Sequence, residues 1–457
     1  MPDIRLRCPG SARAGFAGAL ALLLLIVCVA HAEPAIDDPA ERTRVTVLEN
    51  GLTVLTLEDR TTPVVSFQMW VRVGSRDESR YTGLAHLFEH MMFKGSDNIA
   101  PEEHAKLVES RGGRLNAFTS RDFNVYFQDV PPESLPLIID LEAERVAHLD
   151  ISEKTLGSER EVVLEERRMR TEDSPVGLAY EALYALAFAA HPYRRPVIGW
   201  RSDIEATTVE VCRRFFREFY VPNNIVLSIV GDFDTEDALA RIRRSFGRLD
   251  PVDEVARSPR LAAPQRGERR TSLHFDVRGP VLAVAWHAPP AGHPDGDALE
   301  VASTILSDGR SSRLHRRLVY EEQQALYARG GYVDMQQAGL FLAQAGVRPD
   351  ARIDRVEGLL FEQIARLREQ PVAEAEIEKA KRQIEVSMVN GLATSHALAS
   401  RIAHDTASFG RIRPLAERLA AIRSVTAEDV QRVAAAYLVD EKRSVVRVVP
   451  PVGAKTQ

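Results

Sequence analysis

The segment from Gly83 to Phe93 constrains this chain more than any other part of its sequence. Drawn as a helix, it is apolar on nearly every side, and the exceptions are His86, Glu89 and His90. Three ionisable side chains on an otherwise buried helix cost free energy unless something pairs with them. The chain therefore needs a core large enough to cover this helix and a partner for its three polar residues.

The spacing of these three residues predicts a zinc site. His86 and His90 are four positions apart, which puts their Cβ atoms about 5–6 Å from each other on one face of a helix. Two imidazole nitrogens placed in this way can bind one zinc ion at about 2.0–2.1 Å. Glu89 lies on the same side, where it can act on the attacking water rather than bind the metal. The order His-x-x-Glu-His is the inverted zincin motif, and we predict one zinc ion per chain.

This motif has two other interpretations. One is a chance match whose histidines are satisfied inside the core, and the cost of burying three ionisable groups argues against it. The other is a purely structural site for a different metal, which would not need Glu89.

A catalytic zinc ion normally has three protein ligands, so a further carboxylate or imidazole is expected on a neighbouring element. The strongest candidates are Glu159 and Glu166, which are seven positions apart and so share one face of a helix. We expect that face to carry three apolar residues as well, namely Val162, Val163 and Met169. Two acids on an apolar stripe indicate a bound cation.

The same segment contains two more acids, Glu161 and Glu165, which fall off this face and are expected in solvent. An alternative is also open for Glu159. It would then be an ordinary surface residue paired with Arg160 or Arg167.

The first 32 residues have the features of a cleaved secretory signal peptide. Arg5, Arg7 and Arg13 precede a small or apolar run over residues 14–30, and an Ala-x-Ala pattern ends at Ala32. Such a run is shorter than the roughly 20 residues of a membrane-spanning helix. We expect cleavage after Ala32 and a periplasmic or secreted protein without an integral membrane segment, with an uncleaved N-terminal anchor as the alternative.

The charge distribution excludes some functions. The chain has 59 Lys and Arg residues against 65 Asp and Glu residues, a net charge of -6, and no long block of like charge. A nucleic-acid-binding role therefore has no electrostatic support. Without residues 1–32 the chain keeps one cysteine, Cys212, so no internal disulfide stabilises the fold.

The remaining sequence divides into two halves of α+β character. In the first, residues 44–249, the turn Asn50-Gly51 lies between two β-branched runs and predicts a hairpin. Residues 250–271 contain prolines and charges and predict a linker. The second half, residues 272–450, repeats the order of strands followed by helices. We predict two similar, duplicated α+β domains.

The residues now match a known family. The chain resembles the pitrilysin/insulinase-type zinc peptidases, in particular the small-subunit branch that includes the mitochondrial processing peptidases. In that family His-x-x-Glu-His is followed by Glu-x6-Glu, and here Glu159 and Glu166 form the pair, with Glu166 lying 76 residues after His90. Supporting matches lie at residues 112–119, 191–193 and 220–224. The resemblance covers the whole chain after the signal peptide, strongly before residue 250 and loosely after it.

The resemblance implies a fold and a set of roles. The fold would be two α/β-sandwich domains, each an antiparallel-rich sheet covered by helices, that together form half of a clam-shell. Glu166 would be the third zinc ligand after His86 and His90. Glu89 would be the general base, and Glu159 would orient a ligand.

The resemblance also implies how a peptide binds. Asn116, Ala117 and Phe118 match the family's edge strand, to which a substrate adds as an extended strand; Asn116 capping a turn is an equal alternative. In the second domain Tyr327 matches a substrate-binding tyrosine. The arginine expected seven positions earlier is replaced by Tyr320.

This substitution suggests an incomplete site. Small-subunit members commonly act as dimers, and pairs of a zinc-bearing and a zinc-less subunit occur. We therefore expect a dimer, possibly a heterodimer with a zinc-less paralogue. The rival function is a non-catalytic scaffold subunit. Scaffold members of the family typically lose one or more of the zinc-binding or base residues, and all of these residues are present here.

Overall fold

Two mixed β-sheets organise the chain. The structure is a computed structural model that describes residues 38–257 and 264–451. The predicted signal peptide, residues 1–32, lies outside the described residues, as does the middle of the predicted linker.

The first sheet is built from the first half of the sequence. Its strands are β1 (Arg44–Val47), β2 (Thr53–Glu58), β3 (Val65–Val71), β4 (Arg114–Thr119), β5 (Asn124–Val130) and β6 (Ile225–Gly231). They lie in the order β1-β2-β6-β3-β5-β4, with β2 and β6 parallel and the other neighbours antiparallel. The predicted hairpin at Asn50-Gly51 is confirmed, because β1 pairs with β2 and Gly51 has a φ of +82°.

The second sheet has a similar plan. Its strands are β7 (Arg269–His274), β8 (Val281–Ala288), β9 (Ala325–Asp334), β10 (Gly339–Val347) and β11 (Arg443–Val449). Their order is β7-β11-β8-β10-β9, again with one parallel pair, β7 and β11. Strand β7 begins within the segment predicted as a linker, because Arg269 already pairs with Ser444 of β11.

Helices cover both sheets, so the predicted α+β class with two helix-covered sheets is confirmed. The helices of the first half are α1 (Pro39–Arg42), α2 (Leu84–Met91), α3 (Glu103–Glu109), α4 (Leu135–His148), α5 (Glu153–Arg167), α6 (Pro175–Ala187), α7 (Arg201–Ala206), α8 (Val209–Phe219) and α9 (Thr235–Ser245). Those of the second half are α10 (Gly296–Ser307), α11 (Ile353–Glu369), α12 (Glu374–Asn390), α13 (Ser395–Phe409), α14 (Leu415–Ser424) and α15 (Ala427–Tyr437). The chain also forms two π-helical turns. One, Arg168–Glu172, follows α5, and the other, His315–Glu321, precedes β9.

Two helices cross between the halves. Helix α6 comes from the first half of the sequence but packs on β8 and β11 of the second sheet. Helix α13 comes from the second half and packs on β3 and β6 of the first sheet. Each sheet is thus covered partly by a helix from the other half of the sequence. The predicted domain boundaries at residues 249 and 272 do not include this exchange, because they assign each helix to the half in which it lies in the sequence.

Among the described residues, no helix combines the length and the apolar character needed to cross a bilayer. The buried cores instead consist of helix and strand faces that meet inside the molecule.

Candidate metal centre

Helix α2 holds the inverted zincin motif against the first sheet. Its apolar side chains lie in the core of the first half, namely Leu84, Leu87, Phe88 and Met91. The helix begins after Gly83, whose φ is +88°, a left-handed conformation that suits glycine. A Cβ at this position would also lie 2.7 Å from the carbonyl oxygen of Ile198, so packing requires glycine here too.

A buried carboxylate caps the start of this helix. Oε2 of Glu78 accepts the backbone N–H of Gly83 and Oε1 accepts that of Ala85, each at 3.0 Å. The first N–H groups of a helix have no partner within the helix, and a negative charge is favourable at this end. Burial raises the pKa of Glu78 to about 8, against the opposing effect of the two backbone hydrogen bonds.

The two histidines of α2 meet Glu166 of α5. Nε2 of His86 lies 3.7 Å and Nε2 of His90 lies 3.2 Å from Oε2 of Glu166. The ligand atoms of these three residues all lie within 4.8 Å of one another, and the described residues contain no other such group of histidine, cysteine or acidic side chains.

These residues fit a zinc ion. Two imidazole nitrogens and one carboxylate oxygen form one of the usual donor sets of catalytic zinc. Donors on a tetrahedral zinc at about 2.0–2.2 Å from the metal are about 3.3–3.6 Å apart, close to the separations of 3.7 and 3.2 Å from Oε2 of Glu166. Nε2 of His86 is the nitrogen that lies near Glu166, whereas Nδ1 is buried without a hydrogen-bond partner among the described residues, so Nε2 is the atom that would bind a metal ion.

Glu159 lies behind His90 rather than in the ligand cluster. Its Oε2 is 3.6 Å from Nδ1 of His90, and its Oε1 is 3.1 Å from Nζ of Lys94. Burial would raise the pKa of Glu159, but the contacts with His90 and Lys94 outweigh it and lower that pKa. The carboxylate is therefore held ionised where it can orient the imidazole of His90.

One part of the prediction for α5 is wrong. Glu159 and Val163 are buried, at 1% and 0% exposure, but Val162 and Met169 are 46% and 57% exposed. The predicted stripe was too wide, because the face buried against the neighbouring elements is narrow and Met169 already belongs to the π-helical turn. Glu165 is exposed and paired with Arg168, as expected.

Glu89 stands beside the cluster and contacts the edge strand. Its Oε2 accepts a hydrogen bond of 2.6 Å from Oγ1 of Thr119 at the end of β4. Burial raises the pKa of Glu89, and the bond from Thr119 partly offsets this rise. A carboxylate with a raised pKa is suited to accept a proton near neutral pH.

The two imidazoles differ in basicity. Burial lowers the pKa of His86. Burial acts in the same direction on His90, but its contacts with Glu159 and Glu166 outweigh it and raise the pKa to about 9. Metal binding needs neutral imidazole, so a metal ion would displace the proton that these carboxylates favour on His90.

The predicted substrate residues lie on β4, an outer strand of the first sheet. Asn116 and Phe118 are exposed on one side of the strand and Ala117 is buried on the other. Asn116 lies within the strand rather than at its end, and its Oδ1 accepts the N–H of Ala117 at 2.9 Å. The ring of Phe118 packs edge-on against Trp70, with centroids 6.0 Å apart.

Tyr327 lies on β9, the outer strand of the second sheet. Its ring packs over Gly346, its hydroxyl is buried without a hydrogen-bond partner among the described residues, and the guanidinium of Arg329 lies 5.3 Å from its ring centroid. None of these contacts is with the metal centre. Tyr320 is 77% exposed and lies in the π-helical turn His315–Glu321.

Sequence reasoning missed four polar residues around the centre. Lys94 and Arg170 follow His90 and Glu166 at helical i, i+4 spacing, a signal that was available. Thr119 directly follows the predicted edge-strand residues. Glu78 gave no signal, because the loop between it and Gly83 has no regular periodicity.

Comparisons with known proteins agree with this geometry. Residues 53–200 match the profile of the insulinase family, peptidase family M16, and residues 206–384 match that of the peptidase M16 inactive domain. The chain belongs to this family of peptidases.

Several relatives are similar to this chain over most of their length. The zinc protease PqqE of Helicobacter pylori is 30% identical over 88% of this chain and 92% of its own. A zinc protease of Mycobacterium tuberculosis, named as uncharacterized, is 32% identical over 92% of this chain and 96% of its own. The probable beta subunit of the mitochondrial-processing peptidase of Arabidopsis thaliana is 27% identical over 90% of this chain and 79% of its own.

A solved structure shares the fold closely. The crystal structure of a protease from Helicobacter pylori superposes with a TM-score of 0.86 at 29% identity, covering 89% of this chain and 99% of that one. The resemblance to pitrilysin/insulinase-type peptidases is therefore confirmed.

Proposed function

We propose that this chain is a zinc-dependent endopeptidase that hydrolyses peptides or small unfolded proteins. The observation that carries the proposal is the meeting of His86, His90 and Glu166 within 4.8 Å, with Glu89 beside this cluster but outside it. Its relatives named zinc proteases support the same conclusion.

His86, His90 and Glu166 would hold one zinc ion per chain. When bound, zinc polarises the scissile carbonyl and makes water more acidic. Glu89 takes the proton of the attacking water, and its Oε1 is the oxygen available because Oε2 already accepts from Thr119. The same carboxyl group then gives the proton to the leaving amine.

Glu159 and Lys94 would keep His90 in place. A carboxylate on the second nitrogen of a ligating imidazole fixes the orientation of the ring, and the charge of Lys94 stabilises the ionised form of Glu159. The role of Glu159 is thus to position a ligand, not to contact the substrate.

The peptide would bind as an additional strand on β4. Main-chain hydrogen bonds to an outer strand give affinity without fixing the sequence of the ligand. Asn116, Ala117 and Phe118 would line the peptide, and Thr119 at the end of the strand would bring it to Glu89.

The test is the substitution Glu89→Gln. Glutamine keeps the size of the side chain but cannot accept a proton at neutral pH, so we expect normal zinc content and peptide binding with a loss of turnover of about 10²–10⁴-fold. Zinc would be measured by metal analysis and turnover with a quenched fluorescent peptide. Loss of zinc from this variant would mean that Glu89 is a ligand, and would reject the assigned role.

The alternative function is a non-catalytic scaffold subunit. Residues 206–384 match the inactive domain of the family, but His86, Glu89, His90 and Glu166 all lie before this segment and are all present. An unmodified, zinc-loaded chain that cleaves no peptide, alone or with a partner, would favour this alternative.

We further propose export to the periplasm or outside the cell, and assembly as a dimer. The dimer is supported by Tyr320, which stands where the family resemblance leads us to expect a substrate-binding arginine, so that the arginine of a zinc-less partner would complete the site. Tyr320→Arg should then raise peptidase activity of the isolated chain without changing its zinc content. High activity of a chain that sizing chromatography shows to be monomeric would contradict the need for a partner.

A further inference from the structure

One arginine at the metal centre has no function in the mechanism above. Arg170 lies in the π-helical turn Arg168–Glu172, where the N–H of Asp173 bonds to the carbonyl of Arg168 at 2.8 Å. Such turns insert one extra residue into a helix and are frequent at functional sites. The side chain of Arg170 is 75% exposed, and its Nη1 lies 2.7 Å from Oε1 of Glu166.

The two oxygens of Glu166 face opposite neighbours. Oε2 lies near the imidazoles of His86 and His90, whereas Oε1 lies near Arg170. The guanidinium thus lies on the side of Glu166 that faces away from the two imidazoles. Burial is the main cause of the shifted pKa values of His86 and Glu89, and the charge of Arg170 lowers both.

The backbone of Arg170 is held in place by the following helix. A Cβ at Gly177 would lie 2.1 Å from the carbonyl oxygen of Arg170, so only glycine lets α6 approach the turn this closely. The exposed guanidinium therefore extends from a fixed backbone position.

The neighbouring arginines are already paired with other acids. Arg168 binds Glu165 and Asp173, and Arg167 binds Glu172 and Glu181. In the part of the chain that the structure describes, Arg170 contacts no carboxylate besides Glu166. A guanidinium has five N–H donors in a planar fork, so most of its donors face solvent at the site.

The geometry points to Arg170 as a substrate-binding residue that selects peptides with a carboxylate close to the scissile bond. This inference rests on the proposed peptidase function and names its substrate class. The carboxylate comes from an Asp or Glu side chain or from the C-terminus of a short peptide, because both offer two oxygens to the fork of Arg170.

The experiment uses the zinc-loaded full chain and pairs of peptides cleaved in one tube. In each pair a single Glu or Gln occupies one of the three positions on either side of the scissile bond. A second pair ends in a C-terminal acid or amide, which distinguishes the two sources of the carboxylate. Internal competition gives the ratio of the two kcat/KM values independently of how much of the enzyme holds zinc.

At one of the positions flanking the scissile bond we expect kcat/KM for the Glu peptide to exceed that for the Gln peptide about tenfold. This is the effect of one charge-assisted hydrogen bond at a partly exposed site. Arg170→Gln should bring this ratio to about one, and Arg170→Glu should reverse it in favour of the Gln peptide. The matched control is Arg168→Gln on the same turn, which should keep the wild-type ratio. An unchanged ratio in Arg170→Gln, or an equal loss in Arg168→Gln, would overturn the inference.

A second measurement separates this inference from the proposed function. Dissociation constants of the same peptides are measured for Glu89→Gln and for Glu89→Gln combined with Arg170→Gln. If no peptide is cleaved, the peptidase proposal fails, yet tighter binding of the acidic peptide that depends on Arg170 still supports the inference. Equal binding of acidic and neutral peptides would overturn it.

Discussion

The hydroxyl of Thr119 donates a hydrogen bond of 2.6 Å to Oε2 of Glu89. This bond joins the end of the outer strand β4 to the residue proposed to move the proton. A peptide that paired with β4, as proposed, would therefore enter the site beside a carboxylate oxygen that accepts a hydrogen bond from the same strand. Burial raises the pKa of Glu89 and the bond from Thr119 lowers it, so under the proposed mechanism the two effects would help to set the acidic limit of peptidase activity.

Thr119→Val should narrow the pH range of activity. Glu89 must be ionised to accept a proton, so activity falls as the pH drops through its pKa. Removing the bond leaves burial less opposed and raises the pKa further, which moves the acidic limb of the kcat/KM profile to higher pH. Thr119→Ser, which keeps a hydroxyl, serves as the control, and identical profiles for valine and serine would contradict the prediction.

Glu166→Gln should weaken zinc binding strongly. The substitution replaces a charged ligand, so we expect the zinc dissociation constant to rise at least about 100-fold, more than the roughly 10–100-fold typical of residues behind the ligands. Glu165→Gln is the matched control, because its exposed side chain pairs with Arg168. Chelator competition measures both variants, and equal affinities would show that the wrong carboxylate was chosen.

The clustering of the candidate ligands could be predicted because these residues follow simple spacings. His86, Glu89 and His90 share a helix, and the helical period places Glu159 and Glu166 on one face of a second helix. The helical period alone does not show which of the two acids meets both imidazoles and which lies behind His90. That depends on α5 crossing α2 so that Glu166 meets both imidazoles and Glu159 meets Nδ1 of His90 and Lys94.

The fold was predictable in its local parts. Asn50-Gly51 determines its own turn geometry, and the hairpin follows from it. The exchange of α6 and α13 was not predictable, because an amphipathic helix shows which of its faces is buried but not which sheet covers that face. The exposed Val162 illustrates the same limit within α5.

Glu78→Gln should reduce zinc affinity although Glu78 contacts no ligand. At a pH above about 8, where Glu78 is ionised, both of its oxygens can accept the N–H groups of Gly83 and Ala85. The amide of glutamine offers one acceptor and turns its nitrogen towards the other N–H. We expect about a tenfold weaker zinc site and a loss of about 1–3 kcal/mol in the free energy of unfolding.

The control for this prediction is Asp405→Asn in the second half. Asp405 is also a buried carboxylate, and it accepts a backbone N–H and the guanidinium of Arg413. Its substitution should lower stability without changing zinc affinity, as measured by denaturation of the zinc-free protein and by chelator competition. Equal zinc affinity in wild type and Glu78→Gln would show that the cap does not position His86.

Ile402→Ala should destabilise both halves of the chain together. Ile402 is completely buried in α13 against the first sheet, and removing such a side chain typically costs about 2–5 kcal/mol. Because α13 begins and ends in the second half, and α6 of the first half covers the second sheet, neither sheet keeps its full core when the other unfolds.

Two tryptophans can report on this coupling. Trp70 lies in the first sheet and Trp286 in the second, and both are buried. In chains that keep only one of them, urea unfolding should give the same midpoint for both probes, and Ile402→Ala should lower both midpoints equally. The control is Val386→Ala, at a position of α12 that is 58% exposed. It should change the free energy of unfolding by no more than about 0.5 kcal/mol. Separate midpoints, with only the Trp70 transition shifted by Ile402→Ala, would show that the halves unfold independently despite the exchanged helices.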